Sequence, residues 1–365
     1  MRTKSLYLAV VILGIITWSC NKTNDSANSG NSLSLKSSIN TGVQNLSSAV
    51  NAISASPGYQ VFTGANDLST KSGVISPLDT LTQSIGLADI AGIYTYKATP
   101  IKRGRMMLMK FFTKTGDSPQ MIVSLPESKV NSPRMLLRYS PADTLLVNDY
   151  TVTVSDYMVK FNLFNSYDYK MASSIKIKDV DAGALQIQST YGKNNGYHYS
   201  SEFDFPDGYS TKYLAASGDT AVSSYSINQG TKTLYEEKLT AIKTSTDLKH
   251  RERDYSLTIG NVLIERKLGV GQTLDSAKVY VSGVLQVKSK VEIIDTSTDP
   301  TVDPTVTHQK RELKITFDDG TSSTLSQLAG TVITNINSIF TSMHQVNFAT
   351  NIVDMIAWDI YTKKN

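Results

Sequence analysis

Apolar residues recur along the chain with two different periods, one typical of helices and one typical of strands. Near the amino end, five aliphatic residues follow one another at intervals of four, three, four and three positions: Ile39, Val43, Leu46, Val50 and Ile53. This spacing places all five on one stripe of an α-helix. It predicts an amphipathic helix over residues 39–56, which Pro57-Gly58 ends.

A similar pattern closes the chain. Apolar residues at helical spacing occupy one segment and continue in a second: Leu325, Leu328, Val332, Ile336, Ile339 and Met343, then Phe348, Ile352, Met355 and Ile356. We therefore predict C-terminal helices within residues 324–362. The apolar stripes at the two ends of the chain need partners, and packing on each other or on one face of a sheet would supply them.

Between these ends the period changes to two, as expected for half-buried antiparallel strands. Apolar and polar residues alternate in four stretches: Tyr157–Leu163, Leu185–Gln188, Leu285–Ile293 and Leu313–Phe317. Dipeptides suited to tight hairpins also occur here: Asn195-Gly196, Asp207-Gly208, Gly260-Asn261 and Asp319-Gly320. Together these signals predict an antiparallel β domain over residues 74–320.

The number of strands constrains the fold class. We count about a dozen between Ala91 and Phe317, without a regular helical period among them. Because a broad open sheet leaves its edges exposed, such a meander is expected to form a barrel, a half-barrel or a sandwich. The predicted class is mainly β with amphipathic helices at the N- and C-terminal ends (α+β). Residues Asp295–Thr307, which contain two prolines, are predicted to be an exposed loop.

The chain opens with a leader. Two basic residues precede an apolar run, Leu6–Ile16, which is about eleven residues long and shorter than the roughly twenty that a bilayer-spanning helix needs. The following sequence, Ile16-Thr17-Trp18-Ser19-Cys20, resembles the lipobox of bacterial lipoproteins. This resemblance implies that a signal peptide, residues 1–19, is removed and that Cys20 is the site of lipid attachment.

Cysteine usage favours the same interpretation. Cys20 is the only cysteine in 365 residues, so an internal disulfide cannot form, and lipid attachment is the simplest role for this thiol. Two or three acyl chains would hold the protein stably on a bilayer. Asn21 is not the aspartate that retains lipoproteins at the inner membrane, so the resemblance implies the outer membrane, on its periplasmic or cell-surface face. The polar residues 20–38 are predicted to be a flexible stalk.

Charge and motifs argue against several classes of function. The formal net charge is +4 at pH 7 and no continuous basic run occurs, so we expect no nucleic-acid partner. The four histidines are isolated in the sequence: His198, His250, His308 and His344. The chain has no metal-ligand spacing, no nucleophile elbow and no glycine-rich phosphate loop. We therefore expect no metal, no cofactor and no catalytic residue, and predict that the protein is not an enzyme.

Aromatic residues concentrate on one predicted hairpin. Tyr197, Tyr199, Phe203 and Phe205 share one face of the first strand, and the Asp207-Gly208 turn brings Tyr209 and Tyr213 back alongside them. They form either the core face of the hairpin, since aromatic cross-strand pairs stabilise sheets, or a candidate ligand-binding surface. Within this group we expect Phe203 to be buried and Tyr209 and Tyr213, which have polar tips, to be partly exposed.

A second resemblance concerns the first strands. The stretch Ala91-Gly92-Ile93-Tyr94-Thr95-Tyr96 resembles the Gly-x-Trp opening strand of lipocalin-like (calycin) barrels, with Tyr94 in place of the tryptophan. The resemblance implies a barrel with an apolar interior.

A third resemblance concerns modification. Five Asp-Ser/Thr-aliphatic motifs resemble the O-glycosylation signal of exported proteins in some Gram-negative bacteria. The resemblance implies candidate glycosylation sites at the central residue of each motif: Ser26, Thr80, Thr144, Thr220 and Ser276.

Two functions of an envelope lipoprotein fit these features. The first is a non-catalytic binding or carrier module for a lipid or other apolar ligand held in a β-rich cavity. The second is a structural or adhesive surface protein that contacts a glycan or an envelope protein partner. A closed barrel with an empty apolar interior would favour the first, and a filled core with exposed aromatic residues would favour the second.

Overall fold

The computed structural model describes residues 34–63, 82–99, 111–130, 140–162, 166–192, 196–243, 251–268, 277–295, 311–343 and 347–364. Strands are the largest class within these residues and helices lie at both ends, so the predicted fold class is confirmed. The signal peptide, Cys20, residues 20–33 of the predicted stalk and residues 296–307 of the predicted loop lie outside the described residues.

The elements are named in chain order. The strands are β1 Thr82–Gly86, β2 Gly92–Tyr96, β3 Phe112–Gly116, β4 Met121–Leu125, β5 Tyr150–Asn162, β6 Ser166–Ile177, β7 Val180–Gly192, β8 Gly196–Asp204, β9 Tyr209–Ser217, β10 Thr220–Gln229, β11 Lys232–Lys243, β12 Arg251–Ile259, β13 Val262–Leu268, β14 Lys278–Val281, β15 Val284–Leu285, β16 Lys290–Asp295, β17 Arg311–Thr316 and β18 Ser322–Thr324. The helices are α1 Leu35–Ala55, α2 Pro57–Thr63, α3 Leu87–Ile90, α4 Glu127–Val130, α5 Leu325–Met343 and α6 Asn347–Lys364, with a 3₁₀ helix at Pro141–Leu145.

Fifteen of the strands belong to one large sheet. From β5 to β15 each strand pairs antiparallel with the next one in the chain, so this part of the sheet is a meander. The first part of β5 pairs with β4 and its last part pairs with β1, and a bulge between Val154 and Asp156 separates the two. At the far end β2 pairs parallel with β4 and antiparallel with β3.

The large sheet is open. Its path runs from β15 to β3, and these two end strands do not pair with each other in the described part of the chain. The closed barrel that the sequence allowed is therefore wrong, because helices rather than sheet closure cover the apolar face. Strands β16 to β18 form a separate three-stranded sheet, which an isolated bridge between Ala277 and Val291 joins to the large one.

The N-terminal helix is longer than its apolar period predicts. Ser34 caps α1 by accepting a hydrogen bond from the backbone N–H of Ser37 at 3.2 Å, so the helix begins at Leu35 and includes residues 35–38 of the predicted stalk. Pro57 then opens a second helix, α2, instead of only ending the first. Proline is suited to this position because its fixed φ matches the first helical turn and its missing N–H would have no partner there.

The two N-terminal helices pack closely on the large sheet. A Cβ atom added at Gly42 of α1 would lie 2.9 Å from the carbonyl oxygen of Ile259 in β12. A Cβ added at Gly58 of α2 would lie 2.3 Å from the carbonyl oxygen of Ala182 in β7. Only glycine lets the helix backbones approach the strands this closely, so these positions set the distance between the helices and the sheet.

The C-terminal helical period is borne out in large part. Ile336 and Ile339 of α5 and Ile352 and Ile356 of α6 are buried. The prediction is wrong for Met355, because this residue of the predicted apolar stripe is 42% exposed. Its neighbours Val353 and Ala357 are buried instead. No helix in the described ranges has the length and apolar character to cross a membrane.

The turn predictions hold where the residues are described. Gly196, Gly208, Gly260 and Gly320 all have positive φ angles. The prediction of one strand over Leu285–Ile293 is wrong. Leu285 lies in the short edge strand β15, Val287 is 81% exposed in a turn, and β16 starts only at Lys290. The alternating pattern there reflects two strands and a turn.

Candidate functional site

The pairing register assigns each residue of the meander to one of two faces of the large sheet. Directly opposed residues point to the same side of a sheet, and one such row crosses it from β5 to β13: Tyr157, Met171, Ile187, Ser201, Tyr213, Tyr225, Glu237, Leu257 and Ile264. Tyr225 in this row contacts Phe340 of α5, with ring centroids 4.6 Å apart. We call this side the helix-bearing face.

Charge is segregated between the two faces over strands β5 to β10. Every Lys, Arg, Asp and Glu of these strands lies on the face opposite the helices: Asp156, Lys160, Asp168, Lys170, Lys176, Asp181, Glu202, Asp204 and Lys212. Ion pairs form there, as between Lys170 and Asp156 at 2.7 Å. The helix-bearing face of the same strands therefore carries no charged side chain, and its polar side chains are hydroxyls except for the amide of Gln229.

Five tyrosines cluster on the neutral face towards one end of strands β6 to β9: Tyr167, Tyr191, Tyr197, Tyr199 and Tyr213. We call this group the tyrosine patch. The rings of Tyr167 and Tyr191 stack with centroids 6.4 Å apart, as do those of Tyr197 and Tyr199, while Tyr199 and Tyr213 are 5.9 Å apart. Tyr191 and Tyr197 are directly opposed on neighbouring strands, which makes the patch continuous.

The patch is only partly covered by protein. Tyr191 is 41% exposed and the other four tyrosines are half-buried. Burial raises the pKa of both Tyr197 and Tyr199, so their phenols stay protonated and can donate hydrogen bonds at neutral pH. The hydroxyl of Tyr167 lies 2.7 Å from that of Ser189, a buried residue beneath the patch.

Of the six candidate aromatic residues, two lie in the core. Phe203 and Phe205 are buried, with ring centroids 4.9 Å apart, and Phe203 packs under α2 at Gly58. Their candidate role as ligand contacts is corrected, because phenylalanine has no polar tip and both rings lie beneath a helix. Tyr209 is half-buried at the opposite end of β9 from the patch, so Tyr197, Tyr199 and Tyr213 are the candidates that the fold brings together.

Helix α6 contributes a carboxyl group beside the patch. Asp354 Oδ1 accepts hydrogen bonds from the hydroxyls of Tyr157 at 2.9 Å and Tyr169 at 3.2 Å. Tyr169 lies in the same cross-strand row as Tyr199 of the patch, with Ser189 between them. Asp354 keeps some exposure, yet desolvation by the surrounding protein raises the pKa of its carboxyl to about 7, although both tyrosine hydrogen bonds lower it.

A second carboxylate meets tyrosines further along the sheet. Glu237 accepts hydrogen bonds from Tyr225 at 2.5 Å, Tyr235 at 3.2 Å and Tyr255 at 3.2 Å. Burial, and then the charge of Glu237 or the hydrogen bond to it, raises the pKa of each of these tyrosines. All three phenols already donate to one carboxylate, so this cluster links neighbouring strands of the sheet and is separate from the patch.

The remaining candidates are dispersed. His198 points to the charged face of the sheet and is exposed. No group of three or more His, Cys, Asp or Glu residues suited to a metal occurs among the residues that the structure describes. Of the candidate glycosylation sites, Thr144 and Thr220 are exposed. The aspartate of the first motif, Asp143, is mostly buried in an ion pair with Lys129 at 2.8 Å, whereas the side chain of Asp219 in the second motif is 95% exposed. Ser26, Thr80 and Ser276 lie outside the described residues.

Several residues of the site were absent from the sequence prediction. Tyr167, Tyr169 and Tyr191 lie on strands that were not linked to the aromatic hairpin, although their alternation with polar residues was readable. Asp354 is the one acidic residue in the middle of the second C-terminal helix, and the buried residues Val353 and Ile356 lie close to it in the sequence. An aspartate within an apolar helical segment is the sequence feature that could have indicated a functional role for Asp354.

Comparisons with known proteins give no relatives: no family model matches the chain, and neither the curated proteins nor the solved structures contain a significant match.

Proposed function

We propose that this protein is an envelope-anchored, non-catalytic binding protein that holds a neutral glycan on the tyrosine patch. The supporting observation is the segregation of charge, which leaves the helix-bearing face of β5 to β10 with aromatic rings and hydroxyls but no charged side chain on the described strands. A ligand suited to this surface is uncharged and offers both apolar faces and hydroxyl groups. Sugar rings have both properties.

The geometry supports a glycan better than a lipid. A carrier of apolar ligands needs an enclosed apolar cavity, whereas this sheet is open and buried residues such as Phe203 and Ile187 fill the space below the helices. An acyl chain would also offer no hydrogen-bonding group to the hydroxyls of the patch, whereas a sugar offers several. A filled core next to half-exposed aromatic residues favours the surface-binding alternative.

The proposal is tested by measuring the binding of a panel of chemically different ligands to the protein. The mature polypeptide without its leader is titrated with cellohexaose, maltoheptaose and mannohexaose as neutral glycans, with polygalacturonate as an acidic glycan, and with oleate as an apolar ligand. We expect at least one neutral glycan to bind and to quench tyrosine fluorescence, with weaker binding of polygalacturonate. Binding of oleate alone would overturn the glycan proposal and favour the carrier function.

The anchoring part of the proposal rests on Cys20 and the leader. A Cys20→Ala variant should leave the membrane fraction and stay soluble or unprocessed, because the proposed tether is covalent acylation. Salt washing should not release the wild-type protein, whereas it would release one held by charge alone. Normal processing and unchanged membrane association of Cys20→Ala would contradict the lipid anchor.

A further inference from the structure

Among the described residues, Asp354 has no cationic partner. The hydrogen bonds to its carboxyl come from two neutral phenols, and both reach the same oxygen, Oδ1. No hydrogen bond reaches Oδ2 from the residues that the structure describes. Removing a carboxylate from water without full hydrogen bonding costs free energy. The missing donor at Oδ2 therefore leaves the charged form of Asp354 poorly stabilised in the free protein.

The parts of the chain that the structure describes supply no cation to compensate the charge of this carboxylate. The titratable groups that face Asp354 from the sheet are Tyr157 of β5 and Tyr169 of β6, and Tyr199 of β8 lies next to Tyr169. Helix α3, which also packs on α6, carries Asp89, but its carboxylate accepts a hydrogen bond from the backbone N–H of Gly86 at 2.8 Å. The charged groups of β5 and β6 lie on the opposite face of the sheet.

Asp354 also lies where a ligand on the tyrosine patch would end. Tyr169 and Tyr199 share one cross-strand row with Ser189 between them, and the hydroxyl of Tyr169 holds Asp354 at one end of that row. Asp354 as a residue keeps partial solvent exposure, which leaves a direction from which a ligand group can approach.

We infer that Asp354 is the specificity residue of this site, and that its Oδ2 accepts a hydrogen bond from a hydroxyl group of the bound glycan. Tyr157 and Tyr169 are positioning residues, because they hold Oδ1 and thereby orient the carboxyl group. This inference rests on the proposed function, since it names the group that recognises a glycan hydroxyl on the same surface.

Ligand binding should then be coupled to a proton. A hydroxyl that donates to the carboxylate favours its ionised form and so lowers the pKa of Asp354 from about 7. Near pH 7 part of the free protein carries this proton and the complex carries less of it, so binding releases protons. By linkage, the affinity should rise as the pH rises through 7.

The experiment is isothermal titration calorimetry with the neutral oligosaccharide of the panel that binds most tightly. Titrations at pH 7 in two buffers with different ionisation enthalpies give the number of protons released. Wild type should release a fraction of a proton, and its affinity should increase severalfold from pH 6 to pH 8. Asp354→Asn should release none and bind about tenfold or more weakly at pH 8, as expected for a lost hydrogen bond to a charged group.

Met355→Ala is the matched control, since this neighbouring side chain is 42% exposed and points away from the core. It should keep both the affinity and the proton release of the wild type. Glycan binding without proton release, or unchanged affinity of Asp354→Asn at pH 8, would overturn the inference and leave the proposed function standing. Failure of the wild type to bind any neutral glycan would overturn both.

Discussion

The hydroxyl of Tyr225 donates a hydrogen bond of 2.5 Å to the carboxylate of Glu237 on the neighbouring strand. Tyr235 and Tyr255 donate to the same carboxylate, so one side chain links strands β10, β11 and β12 on the helix-bearing face. A carboxylate that accepts several hydrogen bonds from phenols gives a strong, charge-assisted link. This cluster helps to hold together the wide, open sheet on which the tyrosine patch depends.

Replacing Glu237 with glutamine should weaken this link and change the response to alkaline pH. We expect a loss of about 1–3 kcal/mol at pH 7, because the amide is neutral and its NH₂ group faces phenol donors. The raised pKa values of Tyr225, Tyr235 and Tyr255 mean that the native state keeps protons that the unfolded state loses above about pH 10. Wild-type stability should therefore fall as the pH rises beyond 10, and it should fall less steeply in Glu237→Gln. Urea unfolding from pH 7 to 11 measures both effects, and parallel curves would contradict this role.

The core side of the aromatic hairpin should be far more sensitive to truncation than its patch side. Phe203→Ala removes a fully buried ring and leaves a cavity under α2, so we expect a loss of about 3 kcal/mol or more. Tyr213→Ala should cost less, because that ring is half-exposed. Denaturant unfolding of both variants checks the order, and a milder effect of Phe203→Ala would show that the inner face is misassigned.

Two helical glycines should respond in opposite directions to the same substitution. Gly42→Ala forces a Cβ to within 2.9 Å of the Ile259 carbonyl oxygen and should cost about 1–3 kcal/mol through overpacking. At Gly330 in α5 the nearest atom to an added Cβ is 3.6 Å away, so Gly330→Ala should stabilise the helix by up to about 1 kcal/mol. Thermal unfolding of the pair tests the close packing of α1 on β12. Equal effects would contradict it.

Asp354 should make stability depend on pH in the acidic to neutral range. Its native pKa of about 7 lies above the value near 4 expected in the unfolded chain, so between these values the native state binds the extra proton. This contribution to stability is complete below about pH 4 and is lost as the pH rises to 7. Relative to wild type, Asp354→Asn should therefore gain more than about 1.4 kcal/mol, the equivalent of one pKa unit, between pH 4 and pH 8. Met355→Ala should show no such gain in the same urea titrations, and a constant difference between Asp354→Asn and wild type would refute the shifted pKa.

Most of the helices and strands could be predicted from local patterns in the sequence. The apolar stripe from Ile39 to Ile53 and the alternating strands were readable because helical and extended periods are properties of neighbouring residues. Sheet closure was not readable, since it depends on whether distant strands such as β15 and β3 meet. The alternation along a single strand does not report that α1, α2, α5 and α6 cover the apolar face instead.

The site was predicted only in part for a related reason. Tyr197, Tyr199 and Tyr213 were found because one hairpin joins them. The contact of Asp354 with Tyr157 joins residues 197 positions apart, and no local period reports such a distance. The core position of Phe203 followed from the lack of a polar tip on its side chain, and the same chemistry holds for Phe205.

The central claim is that the neutral tyrosine patch, and not the charged face of the same strands, binds a glycan. The most direct measurement compares the dissociation constants of Tyr197→Ala and His198→Ala for the neutral oligosaccharide that the wild type binds most tightly. These neighbouring residues of β8 lie on opposite faces of the sheet, and circular dichroism melting verifies that both variants fold. Binding should weaken about tenfold or more in Tyr197→Ala, equivalent to about 1.4 kcal/mol, and change less than about twofold in His198→Ala. Equal affinities for the two variants, or a larger loss in His198→Ala, would contradict the account.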